Sequence, residues 1–279
     1  MAATREVVRL GILLSLLAAS PPSPAQAEVE PTSPVLLELF TSQGCSSCPA
    51  AEELLSRLGL DERTRASVIP LAYHVDYWNR LGWWDPYSSR AWSLRQEAYE
   101  RVLRVEGGAY TPQLVVNGRT ELNGTQRARV LGEIDTARRR RPPARIEGTA
   151  RMAGAEEPAV ALDVSVEILE PVAARKLQLR VALFESGLVT QVERGENAGR
   201  TLRNDFIVRW LETAFSLASV AGTRRQGLLD LKLERGWKAE NLGLAAFLQD
   251  PRTLRIHAAV VLPLEGRPAR RTETPGGAN

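Results

Sequence analysis

Apolar positions divide the chain into two stretches with different periods. Val35 to Phe40 is an almost unbroken apolar run, the length and composition of a buried strand. After the turn Thr41-Ser42-Gln43-Gly44, Ala51, Leu54, Leu55 and Leu58 recur at i, i+3, i+4 and i+7, which is one face of a helix. Pro49 fits the first turn of that helix, where its missing N–H is not needed, and Gly59 lies near its end. Val68 to Val75 predicts a second strand. Ser88 or Ser89 is placed to cap a helix from Ala91 to about Val105, which Gly107-Gly108 ends. Gln113 to Val116, the turn Asn117-Gly118 and Arg119 to Leu122 predict a hairpin. A helix from Thr125 to about Arg140 follows, and Pro142-Pro143 forbids its continuation. Beyond Ala144 the period becomes two, with strands expected at Ala161–Leu169, Leu177–Phe184, Leu229–Leu233, Leu244–Leu248 and Ile256–Leu262. Ile207 to Leu217 fits neither period cleanly. The expectation is an α/β domain over residues 33–142 with a helical insertion, a β-rich sandwich-like domain over 144–265 and a loose tail over 266–279.

Composition narrows the class. The 279 residues are 44% hydrophobic and 25% charged, as in an ordinary globular protein. The net charge of +3 is close to balanced, and the arginines are scattered except for Arg138–Arg141. A nucleic-acid protein concentrates its positive charge on one face, so that class is disfavoured. Residues 1–27 have the order of a secretory signal peptide: Arg5 and Arg9, an apolar stretch from Leu10 to Ala19, then Ala25-Gln26-Ala27 as a cleavage site before Glu28. Ten apolar residues are too few to cross a bilayer, which takes about 20, so the alternative is a short uncleaved anchor. The expected location is the periplasm or the medium, with no membrane attachment after cleavage. In that environment paired cysteines are able to oxidise.

The chain has two cysteines, Cys45 and Cys48, spaced C-x-x-C between the first strand and the first helix. A sulfur at a helix N-terminus lies near unpaired N–H groups and the positive end of the helix dipole, both of which favour thiolate over thiol. The thiolate is the nucleophile of disulfide exchange. Cys45 is therefore the expected attacking residue and Cys48 the resolving one. A purely structural disulfide is the bland alternative. Closing so small a loop removes only about 2 kcal/mol of chain entropy, against about 4.7 for a hundred-residue loop. Thr111-Pro112 stands just before a strand, the place where a cis-proline in a thioredoxin-like fold packs beside the cysteine pair. There the preceding backbone docks an extended substrate segment.

Several segments together resemble one known family: Glu38-Leu-Phe-Thr-Ser-Gln-Gly-Cys-Ser-Ser-Cys-Pro49, His74-Val-Asp-Tyr-Trp78, Tyr110-Thr-Pro-Gln113, Arg194-Gly-Glu-Asn-Ala-Gly-Arg-Thr-Leu202 and Phe247-Leu-Gln-Asp250. They resemble the secreted thioredoxin-like family called domain of unknown function 1223, over about residues 33–263. The resemblance implies a thioredoxin-like N-terminal domain and no established activity. One departure is local: the family pattern carries a histidine after Arg200-Thr-Leu202, where this chain has Arg203-Asn204-Asp205.

Other residues have candidate roles beside bland ones. His74 and Asp76 share one side of a strand end, where His74 would tune the thiolate or pass a proton, or serve only as a hydrogen-bonded structural histidine. Glu38 is a candidate proton acceptor for the resolving thiol, or faces a polar edge. Gln43 is a candidate for positioning the incoming chain. Nine of the 16 aromatics fall between Tyr73 and Tyr110, forming either the core of the insertion or an apolar platform for a peptide. Arg194-Gly195-Glu196-Asn197 reads as an interdomain contact or a second site, and His257 as structural. The leading function is an exported thiol–disulfide oxidoreductase that needs no cofactor and whose partners are client proteins or a redox protein. Two alternatives remain: a soft-metal module using Cys45, Cys48 and His74, suited to Cu(I), and a non-catalytic adaptor.

Overall fold

The computed structural model describes residues 34–154 and 158–268. The expected leader over 1–27 and all but the start of the expected tail lie outside the described residues. The first half runs β1 (Val35–Thr41), α1 (Cys48–Leu60), β2 (Val68–His74), α2 (Arg90–Leu103), β3 (Gln113–Val116), β4 (Thr120–Asn123) and α3 (Arg127–Arg138). Local chemistry accounts for the boundaries. Pro49 sits in the first turn of α1. The Ser89 hydroxyl accepts the Ala91 N–H at the start of α2. Asn117 and Gly118 both have positive φ, 47° and 61°, closing the β3–β4 hairpin. A Cβ on Gly118 would lie 2.0 Å from the Leu254 carbonyl oxygen, so glycine is needed there for space as well as conformation.

The second half supplies β5 (Ala144–Ala153), β6 (Ala159–Ile168), β7 (Leu177–Glu185), β8 (Leu188–Gln191), β9 (Thr201–Asn204), β10 (Ile207–Leu217), β11 (Arg224–Lys232), β12 (Leu242–Gln249), β13 (Ile256–Leu262) and β14 (Leu264–Glu265). These strands do not form a separate sandwich. Strands from both halves build one eight-stranded mixed sheet in the order β13-β12-β7-β10-β2-β1-β3-β4. The junction is parallel, with Ile207 of β10 opposite Ala72 of β2, and the Ala72 N–H donates to the Phe206 carbonyl at 2.8 Å. The expected thioredoxin-like α/β domain followed by a β-rich domain is thus corrected. The molecule is mostly β, 42% strand against 19% helix, and its main sheet runs through both halves. The physical reason is that β2 is buried along its whole length and needs a neighbour on each side. Beside β1, that neighbour comes from the second half.

One face of the large sheet is covered by α2 and carries a single core, in which Phe40, Tyr73, Trp92 and Tyr99 meet Phe184, Phe206 and Phe247. The opposite face is covered in two parts. Over β1 to β4, α1 and α3 pack Leu54, Leu55, Leu58, Val130 and Ile134 onto Leu37 and Leu39. Over β7, β10, β12 and β13 lies a second sheet of order β11-β6-β5-β14, whose Val160, Leu162, Val164 and Val166 meet Leu179, Val181, Leu183, Leu244 and Leu248. Strands β8 and β9 form a two-stranded ribbon beside α1. Among the described residues no helix is long and apolar enough to cross a membrane.

Candidate functional site

The C-x-x-C lies where β1 gives way to α1. The Cys45 N–H donates to the Ser42 carbonyl and the Cys48 N–H to the Cys45 carbonyl, both at 3.2 Å. Helix α1 begins at Cys48, so Cys45 stands one turn ahead of it. The two sulfurs are reduced and buried, Cys45 at 1% exposure and Cys48 at 0%.

Their environments differ. Cys45 is pulled down from 9.0 to about 6, first because its thiolate accepts a hydrogen bond from Cys48. Burial opposes this, and further bonds from the Ser47 hydroxyl, the Thr111 hydroxyl and the Ser47 amide reinforce it. The Ser47 Oγ is 3.3 Å from Cys45 Sγ. Burial pushes Cys48 well above the ordinary thiol value, aided by its bond to Cys45 and by the negative charge of Glu52. Low-pKa and high-pKa thiols thus face one another.

The Thr111–Pro112 peptide is cis. Thr111 bonds to the Cys45 sulfur through its hydroxyl, which also accepts from Trp78 Nε1 at 2.8 Å. This places the expected docking segment beside the Cys45 sulfur.

Other expected residues divide. His74, at the end of β2, is fully buried, with Nδ1 2.7 Å from Asp85 Oδ2 and Nε2 without a partner. Burial would lower its pKa, but Asp85 and Glu52 outweigh it, and the net shift is upward. Asp85 also accepts the Gln43 N–H at 2.8 Å and the Tyr87 N–H at 3.0 Å. Despite burial, the imidazolium and these bonds hold its carboxyl below the ordinary aspartate value. Asp76 turns away, accepting from the Ser93 hydroxyl of α2. Glu38 points to the α2 side of β1, opposite α1, where it is bound by Arg95 at 2.7 Å and by the Tyr99 hydroxyl. It does not reach the resolving thiol. Gln43 is committed within the fold, its Nε2 donating to Asn204 Oδ1 at 2.8 Å and its Oε1 accepting from Trp83 Nε1 at 3.2 Å. The aromatics are split as well: Tyr73, Trp92 and Tyr99 are core, while Trp84 is 76% exposed.

Among the described residues, no three His, Cys, Asp or Glu side chains gather as a metal-binding group. Cys45, Cys48 and His74 are not gathered into such a group; His74 is held through Nδ1 by Asp85, and its Nε2 has no partner.

Two contributors, Glu52 and Asn204, have no role expected from the sequence. Glu52, one helical turn after Cys48, is buried on the α1–β1 side. Its Oε1 accepts the Thr41 hydroxyl at 2.6 Å and its Oε2 accepts Asn204 Nδ2 at 2.7 Å. The i+4 spacing from Cys48 was the available signal. Asn204 comes from β9 and has no local signal. A strap over residues 192–200, between β8 and β9, is laid across the cysteine turn, and it contains the segment Arg194-Gly195-Glu196-Asn197 expected as an interdomain contact or a second site. Asn197, fully buried in it, donates through Nδ2 to the carbonyls of Gln43 at 2.8 Å and Cys45 at 2.9 Å. Glu196 Oε2 accepts the Ser46 N–H at 2.9 Å. The segment Arg194 to Asn197 is therefore a latch on the cysteine turn.

Comparisons with known proteins span both halves of the chain. The model of a family described as "Protein of unknown function (DUF1223)" matches residues 36–249. The chain is similar to the crystal structure of protein AGR_C_4864 from Agrobacterium tumefaciens, at 26% identity and a TM-score of 0.62, covering 87% of this chain and 99% of that one. It is also similar in fold to HBP35 of Porphyromonas gingivalis, at 14% identity and a TM-score of 0.56, covering 89% and 80%. Both likenesses extend across the two halves. No curated protein matches the chain.

Proposed function

The chain belongs to the DUF1223 family, whose description assigns no activity, and from the cysteine geometry we propose that it is an exported thiol–disulfide oxidoreductase acting on protein thiols or disulfides. The observation that carries this reading is the asymmetry of the two sulfurs: Cys45 at about 6 is largely thiolate at neutral pH, while Cys48 beside it stays protonated. In the reducing direction, the Cys45 thiolate attacks one sulfur of a client disulfide. A Cys45–client bond forms, the client S–S bond breaks and the other client sulfur leaves as a thiolate. Deprotonated Cys48 then attacks Cys45 Sγ, forming the Cys45–Cys48 disulfide and releasing the second client thiolate. Both client thiolates take up protons, and the two electrons the client gains are those the cysteine pair loses. The reverse sequence oxidises a client dithiol. Thr111 and Pro112 border the attacked sulfur and supply a docking edge for the client backbone.

Cys45 is covered, so exchange requires the strap over 192–200 to lift. The leader-like residues 1–27 support export to the periplasm or the medium, where a redox pair of this kind has protein clients. Thiol trapping tests the reading. Incubated with a reduced, unfolded client peptide and its oxidised form, the Cys48→Ser variant accumulates a mixed disulfide on Cys45, and the Cys45→Ser variant accumulates none. No adduct on Cys48→Ser would overturn the proposal.

A further inference from the structure

Cys48 must lose its proton before it resolves a mixed disulfide, yet its buried position holds the thiol protonated. We propose that Thr41 and Glu52 form a proton relay that deprotonates Cys48 during the resolving step. This deepens the oxidoreductase reading and rests on it.

The relay follows from hydrogen-bond polarity. The hydroxyl of Thr41, fully buried at the end of β1, donates to Glu52 Oε1 at 2.6 Å, and its side chain lies close enough to the Cys48 sulfur to act on its proton. An ionised carboxylate only accepts, so the single Thr41 hydroxyl proton points to Glu52. In the mixed disulfide Cys45 Sγ no longer accepts the Cys48 proton as the free thiolate does, which leaves the Cys48 thiol free to donate to Thr41 Oγ1. If the sulfur proton moves to Oγ1 as the hydroxyl proton moves to Oε1, Glu52 becomes the neutral acid and Thr41 is left donating to the new thiolate. No atom has to move by more than a proton transfer. The thiolate attacks Cys45 Sγ of the mixed disulfide, the Cys48–Cys45 bond forms and the Cys45–client bond breaks. The departing client thiolate carries the electron pair and is protonated by water.

Glu52 suits this part. Burial raises its pKa above the ordinary glutamate value, narrowing the gap to a thiol, while the charge of His74 and the bond from Thr41 limit the rise. Asp85 and Cys45 face it as well and push upward, and Asn204 from β9 holds the second oxygen. Glu52 also lines a groove of about 920 Å³ between α1 and β9, bordered by Pro49, Arg57, Arg127 and Arg203, which gives the captured proton an exit to solvent.

The test follows the mature full-length protein reacting with glutathione disulfide, with acid quenching and mass spectrometry to separate capture on Cys45 from resolution by Cys48. Thr41→Val keeps the shape and removes the hydroxyl. It is expected to slow resolution at pH 7 by about 100-fold, the usual lower range for loss of general-base help, with the deficit shrinking as pH rises. Thr41→Ser restores resolution to within about threefold of the parent. Glu52→Gln slows it as Thr41→Val does. Resolution at the parent rate and with the parent pH profile in both Thr41→Val and Glu52→Gln would overturn the relay, as would Thr41→Ser resolving as slowly as Thr41→Val. Failure of the parent protein to form any glutathione adduct would instead overturn the oxidoreductase reading.

Discussion

Asn197→Ala should make Cys45 react faster while weakening the fold. In the closed form Cys45 is 1% exposed, so a reagent reaches its sulfur only when the strap over 192–200 lifts. The labelling rate is then the opening constant multiplied by the intrinsic thiolate rate. Asn197 Nδ2 makes two bonds that exist only in the closed form, to the Gln43 and Cys45 carbonyls at 2.8 and 2.9 Å. Each contributes about 1 kcal/mol net, because in the open form both carbonyls are hydrated. Their removal shifts opening by about 2 kcal/mol, or about 30-fold at 1.4 kcal/mol per decade. The assay is iodoacetamide labelling of the reduced protein at pH 9, well above the Cys45 value of about 6, followed by mass spectrometry. Hydrogen exchange over residues 43–48 should rise in parallel. A labelling rate within twofold of the parent would refute the reasoning, because the strap would then not be what covers the sulfur.

Two further outcomes follow from buried charges. Arg95→Met removes the cation held against the buried Glu38 and over the Tyr73, Tyr99 and Phe247 rings. It should cost about 3–5 kcal/mol in urea unfolding and leave Cys45 labelling unchanged, since that network lies on the α2 side of the sheet; a loss under 1 kcal/mol or altered labelling would contradict this. Burial, with Arg119 and Arg255 nearby and only Asp250 opposing, lowers His257 from 6.5 to about 4. A depressed folded value gives stability that is present above pH 6.5 and lost as pH falls toward 4, so the parent should lose about 2 kcal/mol more than His257→Gln between pH 7 and pH 4, after allowance for partial exposure. Identical pH slopes would count against it.

How much the chain discloses depends on whether partners are near in sequence. The passage from β1 through the cysteine turn into α1 is legible, because an apolar run, a C-x-x-C, Pro49 and a helical face lie within one short stretch. So is the hairpin at Asn117-Gly118, where two positive φ values demand those residue types. The continuous sheet is not legible. Its junction is the parallel contact of Ile207 with Ala72, and β10 breaks the two-residue period with irregularities at Val208/Trp210 and Thr213/Phe215. An α/β half and a β half therefore look separable when they share a sheet. The site divides the same way. Cys45, Cys48, Thr111 and Pro112 can be found from spacing. Glu38 and Glu52 cannot be told apart by type: Glu38 sits on the strand face turned toward Arg95, while Glu52, next to Glu53 on α1, resembles one of a solvated pair. Asn197 and Asn204 act across more than 150 positions of the chain; the segment holding Asn197 stands out in the sequence, but nothing local ties either residue to the cysteine turn.

The account turns on Cys45 being ionised at neutral pH, and its titration is the direct measurement. The rate of iodoacetamide labelling of Cys45, followed from pH 4 to pH 10 by mass spectrometry, should rise to half its plateau near pH 6. A midpoint at pH 8.5 or above, the value of a free thiol, would contradict it.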